Sequence, residues 1–423
     1  MMKKEMLAIA AASMLLQGSA AFAAISDQEF AQLKADFASM AQRLSALELE
    51  NSRLRELGKG TESSLAVVTK ELASVQTSAA SSWTDRIKVK GDFRYRYEEI
   101  DVQGKGSRER NRIRARASLT AKLANNVEVA LGVASGGDDP VSTNQTLGGG
   151  GSTKDVRLDL AYFKWNASDQ FYLTGGKVKN FWYRPQKSQL LWDGDYNPEG
   201  LGAAWSSEHF FIRAGGNWLE SDSKKSNKQF SWGLQGGSEF TLGQASVTVG
   251  VGYFDLSTKG KASFFGDDDD FYGNSFECSD PNNLSTCVYK YNYEEIEVFA
   301  TMSMNVADLP LRLFADYVEN LDADQFDTGF ILGAKLGKAS SPGSWEAGYA
   351  YQDLEADAAF GLLSDSDFAG GGTDGKGHRI TGAYAINKQW KFGFTWFLNN
   401  EAGDNRGSAV DYDRFMLDTS FKY

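Results

Sequence analysis

Residues 86–123, RIKVKGDFRYRYEEIDVQGKGSRERNRIRARASLTAKL, sort by parity into two chemically incompatible faces. In the first half Ile87, Val89, Gly91, Phe93, Tyr95 and Tyr97 alternate with Lys88, Lys90, Asp92, Arg94, Arg96 and Glu98. In the second half Ile113, Ala115, Ala117, Leu119, Ala121 and Leu123 alternate with Arg112, Arg114, Arg116, Ser118, Thr120 and Lys122. A period of two is that of a β-strand, whose successive side chains point to opposite faces. A soluble sheet would need helices to cover the apolar face, and the chain supplies none. A transmembrane barrel inverts the arrangement, with apolar residues towards lipid and polar residues towards a wet lumen.

Working outward, alternating segments recur at 127–134, 156–165, 171–179, 200–206, 210–218, 230–242 and 247–256, then at 296–304, 311–318, 328–336, 345–354, 378–386, 390–398 and 411–423. With the first two they make sixteen. Asn125-Asn126, Ser168-Asp169, Gly243 and Asn387-Lys388 mark tight connections, whereas 135–153, 180–199, 257–293 and 355–377 are long. Long and short connections on alternate ends, and an even strand number, are the pattern of bacterial outer-membrane barrels. The fold expected is therefore an all-β transmembrane barrel of about sixteen antiparallel strands over residues 86–423. Aromatics such as Phe93, Tyr95, Trp218, Trp232, Tyr349 and Trp396 suit the two membrane interfaces.

Composition agrees. Hydrophobic residues make up 42% and no run beyond the N-terminus nears the ~20 apolar residues of a helical span. A net charge of −12 argues against a nucleic-acid partner. At the N-terminus, Lys3 and Lys4, an apolar core from Met6 to Leu16 and the small-x-small site Ala21-Phe22-Ala23 read as a secretory signal peptide, residues 1–23. Two cysteines, Cys278 and Cys287, lie in one long connection, and in an oxidising compartment a disulfide is expected.

Residues 24–76 carry a heptad pattern. Phe30, Leu33, Phe37, Met40, Leu44 and Leu47 are followed by Asn51 at one a position, then Leu54, and in the same register Leu65, Val68, Leu72 and Val75. Such a seam points to a short coiled coil, in the periplasm if the signal is cleaved, and the single Asn would fix register or oligomer state. An amphipathic helix packing on its own domain is the plain alternative. Residues 77–85 form a small-residue linker.

The last strand alternates Phe415, Leu417, Thr419 and Phe421 and ends the chain on Tyr423. That terminus resembles the signal recognised by the barrel assembly machinery of the outer membrane. Signal peptide, heptad segment and strand-rich domain together resemble the porins of Gram-negative-type outer membranes that carry an N-terminal periplasmic coiled coil. The resemblance implies a general-diffusion porin, passive passage of small hydrophilic solutes, and a homotrimer among outer-membrane lipid and lipopolysaccharide.

A sixteen-strand lumen is too wide for side chains to fill, so selectivity depends on what narrows it. The connection 180–199 follows the fifth strand, where general porins fold a constriction loop inward, and it holds Arg184, Lys187, Asp193, Asp195 and Glu199. Arg94, Arg96, Arg114 and Arg116 form a basic ladder on the first two strands. The expectation is an eyelet in which that ladder faces the loop acids, with Glu295, Glu297 and Asp316 on the opposite wall to give a transverse field. No catalytic residue, metal ligand or cofactor is assigned. His209 and His378 fall at opposite ends, and Ile380 stands where a barrel hydrolase would want a nucleophile. Asp267 to Asp270 reads as a solvated loop tip. Two other readings stay open: a structural barrel tying the outer membrane to the cell wall through its coiled coil, and a substrate-specific anion channel.

Overall fold

The computed structural model describes residue 32, residues 35–36, 38–40 and 42–56, and residues 86–221, 227–403, 405, 407 and 409–423. The expected signal peptide, the heptad positions Phe30, Leu33, Phe37, Leu65, Val68, Leu72 and Val75, and the expected linker lie outside the described residues. The chain divides into two compact units, Met1–Ser82 and Trp83–Tyr423.

In the first unit residues 42–56 are helical, as the heptad spacing predicts. Leu44, Leu47 and Leu54 are about 60% exposed, at 63%, 59% and 60%. No described residue of this unit covers the seam.

In the second unit sixteen strands form the wall: β1 (Ile87–Val102), β2 (Arg108–Lys122), β3 (Val127–Ser135), β4 (Val156–Asn166), β5 (Phe171–Lys177), β6 (Glu199–Ser206), β7 (Phe210–Glu220), β8 (Gln229–Leu242), β9 (Ala245–Leu256), β10 (Tyr293–Val306), β11 (Leu309–Asn320), β12 (Thr328–Gly337), β13 (Trp345–Leu354), β14 (Gly375–Ala385), β15 (Trp390–Ala402) and β16 (Val410–Lys422). Each pairs antiparallel with its neighbours, and β16 pairs back onto β1, with Tyr95 opposite Thr419 and Arg96 opposite Asp418. Closure leaves no free sheet edge, the condition for a β-structure inside lipid.

Burial is inverted relative to a soluble protein. Leu131, Leu158, Leu201, Leu234, Val251 and Leu332 are each more than half exposed on the outer face, whereas Gln235, Glu297 and Gln352 are at most 2% exposed on the inner face. Rings flank the outer band: Trp165, Phe210, Phe240 and Trp345 near the short-connection end, Trp218, Phe230 and Trp396 towards the other. The turn at Asn125 and Asn126 has positive φ at both residues (58° and 60°), the geometry that matches the right-handed twist of a hairpin and that Asn tolerates.

The expected strands all occur, with ends displaced by a few residues. Two features had no clear signal: a two-residue ladder at Gln145–Thr146 against β2, and a hairpin of Phe276–Cys278 with Cys287–Tyr289 inside the connection between β9 and β10. That hairpin carries the expected disulfide, Cys278 to Cys287. Asp267 to Asp270 is exposed in the same connection.

Candidate functional site

The inner face of β1, β2 and β16 carries the ladder. Strand register sets Arg94 opposite Arg114, Arg96 opposite Arg112, Asp92 opposite Arg116 and Glu98 opposite Arg110. Adjacent guanidiniums repel, so each needs an acid. Asp92 bridges Arg114 (2.9 Å) and Arg116 (2.9 Å). Asp418 of β16 takes Arg96 at 2.8 Å, with Arg94 at 3.9 Å. Glu98, with no exposed side-chain area, lies among Arg110, Arg112 and Arg414 and accepts from Arg414 at 2.6 Å.

Residues 178–198 join β5 to β6 and touch widely separated strands. Phe181 lies on Gly202 of β6 and Gly215 of β7, where any Cβ would overlap its ring. Tyr183 donates its N–H to the side chain of Gln235 on β8 (2.7 Å) and stacks on Phe211 and Phe299. The carbonyl of Gln186 accepts from Lys335 of β12 (2.8 Å). Asp195 then reaches Arg116 (3.0 Å) and Arg114 (3.4 Å), and its other oxygen accepts from Thr143 (3.0 Å) in the β3–β4 connection. Arg184 spans the loop's own fold, donating to the carbonyls of Trp192 (3.0 Å) and Asp193 (2.9 Å).

A cavity of about 570 Å³ is bounded by Arg94, Arg96, Arg114, Arg116, Arg184, Lys187, Asp193 and Asp195. These eight of the nine expected constriction residues share one space, and Lys335, Glu346, Asp365, Asp367, Arg379 and Asp418 bound it with them. Three expectations need correction. Glu199 has the outward parity of Leu201, is 62% exposed and pairs with Lys177 (2.9 Å), so it belongs to the outer face. Asp193 is 4% exposed and accepts from the N–H groups of Asp195 (2.7 Å) and Ser366 (2.9 Å), so it holds loop backbone and makes no ion pair with the described residues of the ladder.

The third correction concerns the opposite wall. Glu295, Glu297 and Asp316 do face the interior, but they are only 1%, 1% and 3% exposed. Glu295 accepts from the N–H of Phe360 (2.8 Å) and Glu297 from Gln235 (2.7 Å), beneath loops that fill this side of the barrel. Trp182, Leu190, Trp192, Phe254, Tyr289, Tyr293, Phe360, Leu362 and Leu363 form an apolar cluster there. Acids covered in this way anchor loops and do not line the cavity that the ladder bounds.

Residues that sequence reasoning passed over are Arg110, Arg112, Asp365, Asp367, Arg379, Arg414 and Asp418. A signal existed for the loop among them. Ala358, Ala359, Phe360, Leu362 and Leu363 make an apolar run that an exposed connection has no use for.

A closed, lipid-facing barrel around a charged interior space is the architecture of a bacterial outer-membrane channel protein. The chain belongs to the family described as "Putative porin", whose model matches residues 102–304 and 286–423. A comparison with curated proteins finds no match. Among solved structures, OprB of Pseudomonas putida at high pH is 12% identical over 84% of this chain and 97% of its own, with a TM-score of 0.54. In-vitro folded OmpT of Vibrio cholerae, in trimer form, is 12% identical over 80% of this chain and 100% of its own, with a TM-score of 0.46. At these identities the likeness is one of fold alone.

Proposed function

We propose that this porin lets small hydrophilic solutes and ions diffuse passively through a water-filled path that residues 178–198 narrow by folding inward. The observation that carries the reading is the span of that loop, which is tied to Lys335 on β12 through Gln186 and to Arg114 and Arg116 on β2 through Asp195. Arg94, Arg96, Arg114, Arg116, Arg184 and Lys187 then act as the basic lining and Asp195 as its acidic counterpart, with Asp193 in a positioning role. Single-channel recording of the purified protein in planar bilayers tests this. Discrete conductance steps are expected, and protein that inserts without conducting overturns it.

A second reading, an anion-preferring channel, is favoured by the cavity lining, where eight cationic side chains stand against six acidic ones. Its mark is a reversal potential on the anion side in a salt gradient. The structural-anchor reading draws only on the helix at residues 42–56 and a cell-wall contact made through it.

The assembly proposed is a homotrimer among lipid and lipopolysaccharide, inserted by the barrel assembly machinery through the strand ending at Tyr423, with residues 24–76 as a periplasmic coiled coil after removal of residues 1–23. The exposed leucine seam supports this, because an uncovered apolar stripe gains by pairing with copies of itself. Cross-linking is expected to trap trimers, and Leu44→Asp with Leu47→Asp is expected to loosen them while the barrel persists. Monomers alone from wild type would reject the trimer.

A further inference from the structure

We infer that the connection between β13 and β14, residues 355–374, is a second constriction element, and that Asp367 at its tip helps set which ions pass. The inference rests on the porin reading above and adds to it a loop and one specificity-determining carboxylate, Asp367, whose side chain is 25% exposed.

A connection at the long-loop end that stood in water would be exposed. This one is not: Ala356, Asp357, Ala358 and Ala359 are 0–1% exposed, Phe360 2%, Leu363 2% and Asp365 1%. Buried backbone must find partners, and here they come from three separate elements. Asn274, in the β9–β10 connection, donates to the carbonyls of Ala356 (2.7 Å) and Ala359 (2.8 Å) and accepts from the N–H of Gly361 (2.8 Å). Glu295 of β10 accepts from Phe360, as described above. From residues 178–198, Asp193 accepts from the N–H of Ser366 and donates its own N–H to the carbonyl of Leu363 (2.7 Å). The segment is therefore tied to the wall and to the loop after β5, from the side where Phe360, Leu362 and Leu363 join the apolar cluster.

Beyond that cluster the tip enters the charged cavity. Asp367 pairs with Arg96 (3.2 Å) and Arg414 (2.9 Å), and Asp365 with Arg379 of β14 (3.5 Å). Both carboxylates bound the same space as Arg94 and Arg114. The two loops thus divide the ladder. Asp195 takes the rungs at Arg114 and Arg116, whereas Asp367 takes the rung at Arg96, whose partner in register is Arg112. A strand rises about 3.4 Å per residue, so the Arg112 rung lies about 7 Å beyond that of Arg114 towards the long-connection end. A solute crossing this wall meets two loop carboxylates in series, each offsetting a different pair of guanidiniums. Removing the outer one leaves Arg96 and Arg414 short of a counter-charge and favours anions.

The test uses the full chain in planar bilayers across a potassium chloride gradient. Asp367→Asn is expected to move the reversal potential towards anions, by up to about fivefold in permeability ratio, the Boltzmann factor for one unit charge at about 4 Å in water. Because both native cysteines are bonded to each other, Ser366→Cys can be labelled selectively with a negatively charged methanethiosulfonate. Labelling is expected to lower the current. An unchanged reversal potential in Asp367→Asn overturns the assigned charge role, and a Ser366→Cys channel whose current ignores the reagent overturns the placement of the loop in the path. Wild-type protein that inserts but never conducts overturns the porin reading instead.

Discussion

Replacing Arg94, Arg96, Arg114 and Arg116 together by Gln is expected to move the reversal potential of the channel strongly towards cations. The four side chains bound one cavity and are paired with Asp195, Asp367 and Asp418, which bound it too, and with Asp92 on β1. Removing four positive charges while the four carboxylates remain leaves the wall negative. One unit charge at 4 Å is worth about 1 kcal/mol in water, and a tenfold change in preference needs only about 1.4 kcal/mol, so a shift of more than about tenfold is expected from the set. Replacing Lys88 and Lys122, exposed at the short-connection mouth, should shift the potential less, because bulk salt screens charges there. Recording both variants in the same gradient decides it. A quadruple variant with the wild-type reversal potential would place the narrowest part of the path away from β1 and β2.

Glu98→Ala is expected to destabilise the barrel more than any other single change to the ladder. Glu98 has no exposed side-chain area and is shared by Arg110, Arg112 and Arg414, which keep only 16%, 13% and 3% of theirs. Removing one member of a buried ionic cluster leaves its partners uncompensated, a loss of about 3–5 kcal/mol. The lumen is partly wetted at Arg110 and Arg112, so the lower end, about 3 kcal/mol, is expected here. Urea unfolding in detergent micelles, followed by tryptophan fluorescence, would read it as a lowered midpoint. An unchanged midpoint would mean that water or chloride replaces the carboxylate without cost.

How much of this was legible in advance differs between wall and lumen. Parity in residues 86–123 placed Arg94, Arg96, Arg114 and Arg116 inside because a strand alternates its faces whatever surrounds it, and the same rule applied along the chain yields all sixteen strands. Parity also marks Glu199 as outward, once β6 is known to begin at that residue; read as the last member of a loop, it carried no facing at all. Glu295, Glu297 and Asp316 show the limit. Their inward direction follows from alternation, but whether an inward carboxylate meets water or the underside of a loop depends on where residues 178–198 and 355–374 go.

The sequence by itself determined the barrel, its strand number, the lipid and lumen faces and the basic ladder, because each depends on nearest-neighbour alternation and on turn chemistry, which are local. Only the tertiary structure decided which acids complete the ladder. Asp195, Asp367, Asp418 and Arg414 reach Arg96, Arg114, Arg116 and Glu98 from more than 70 residues away in the chain, through strand closure and loop packing that no local period encodes.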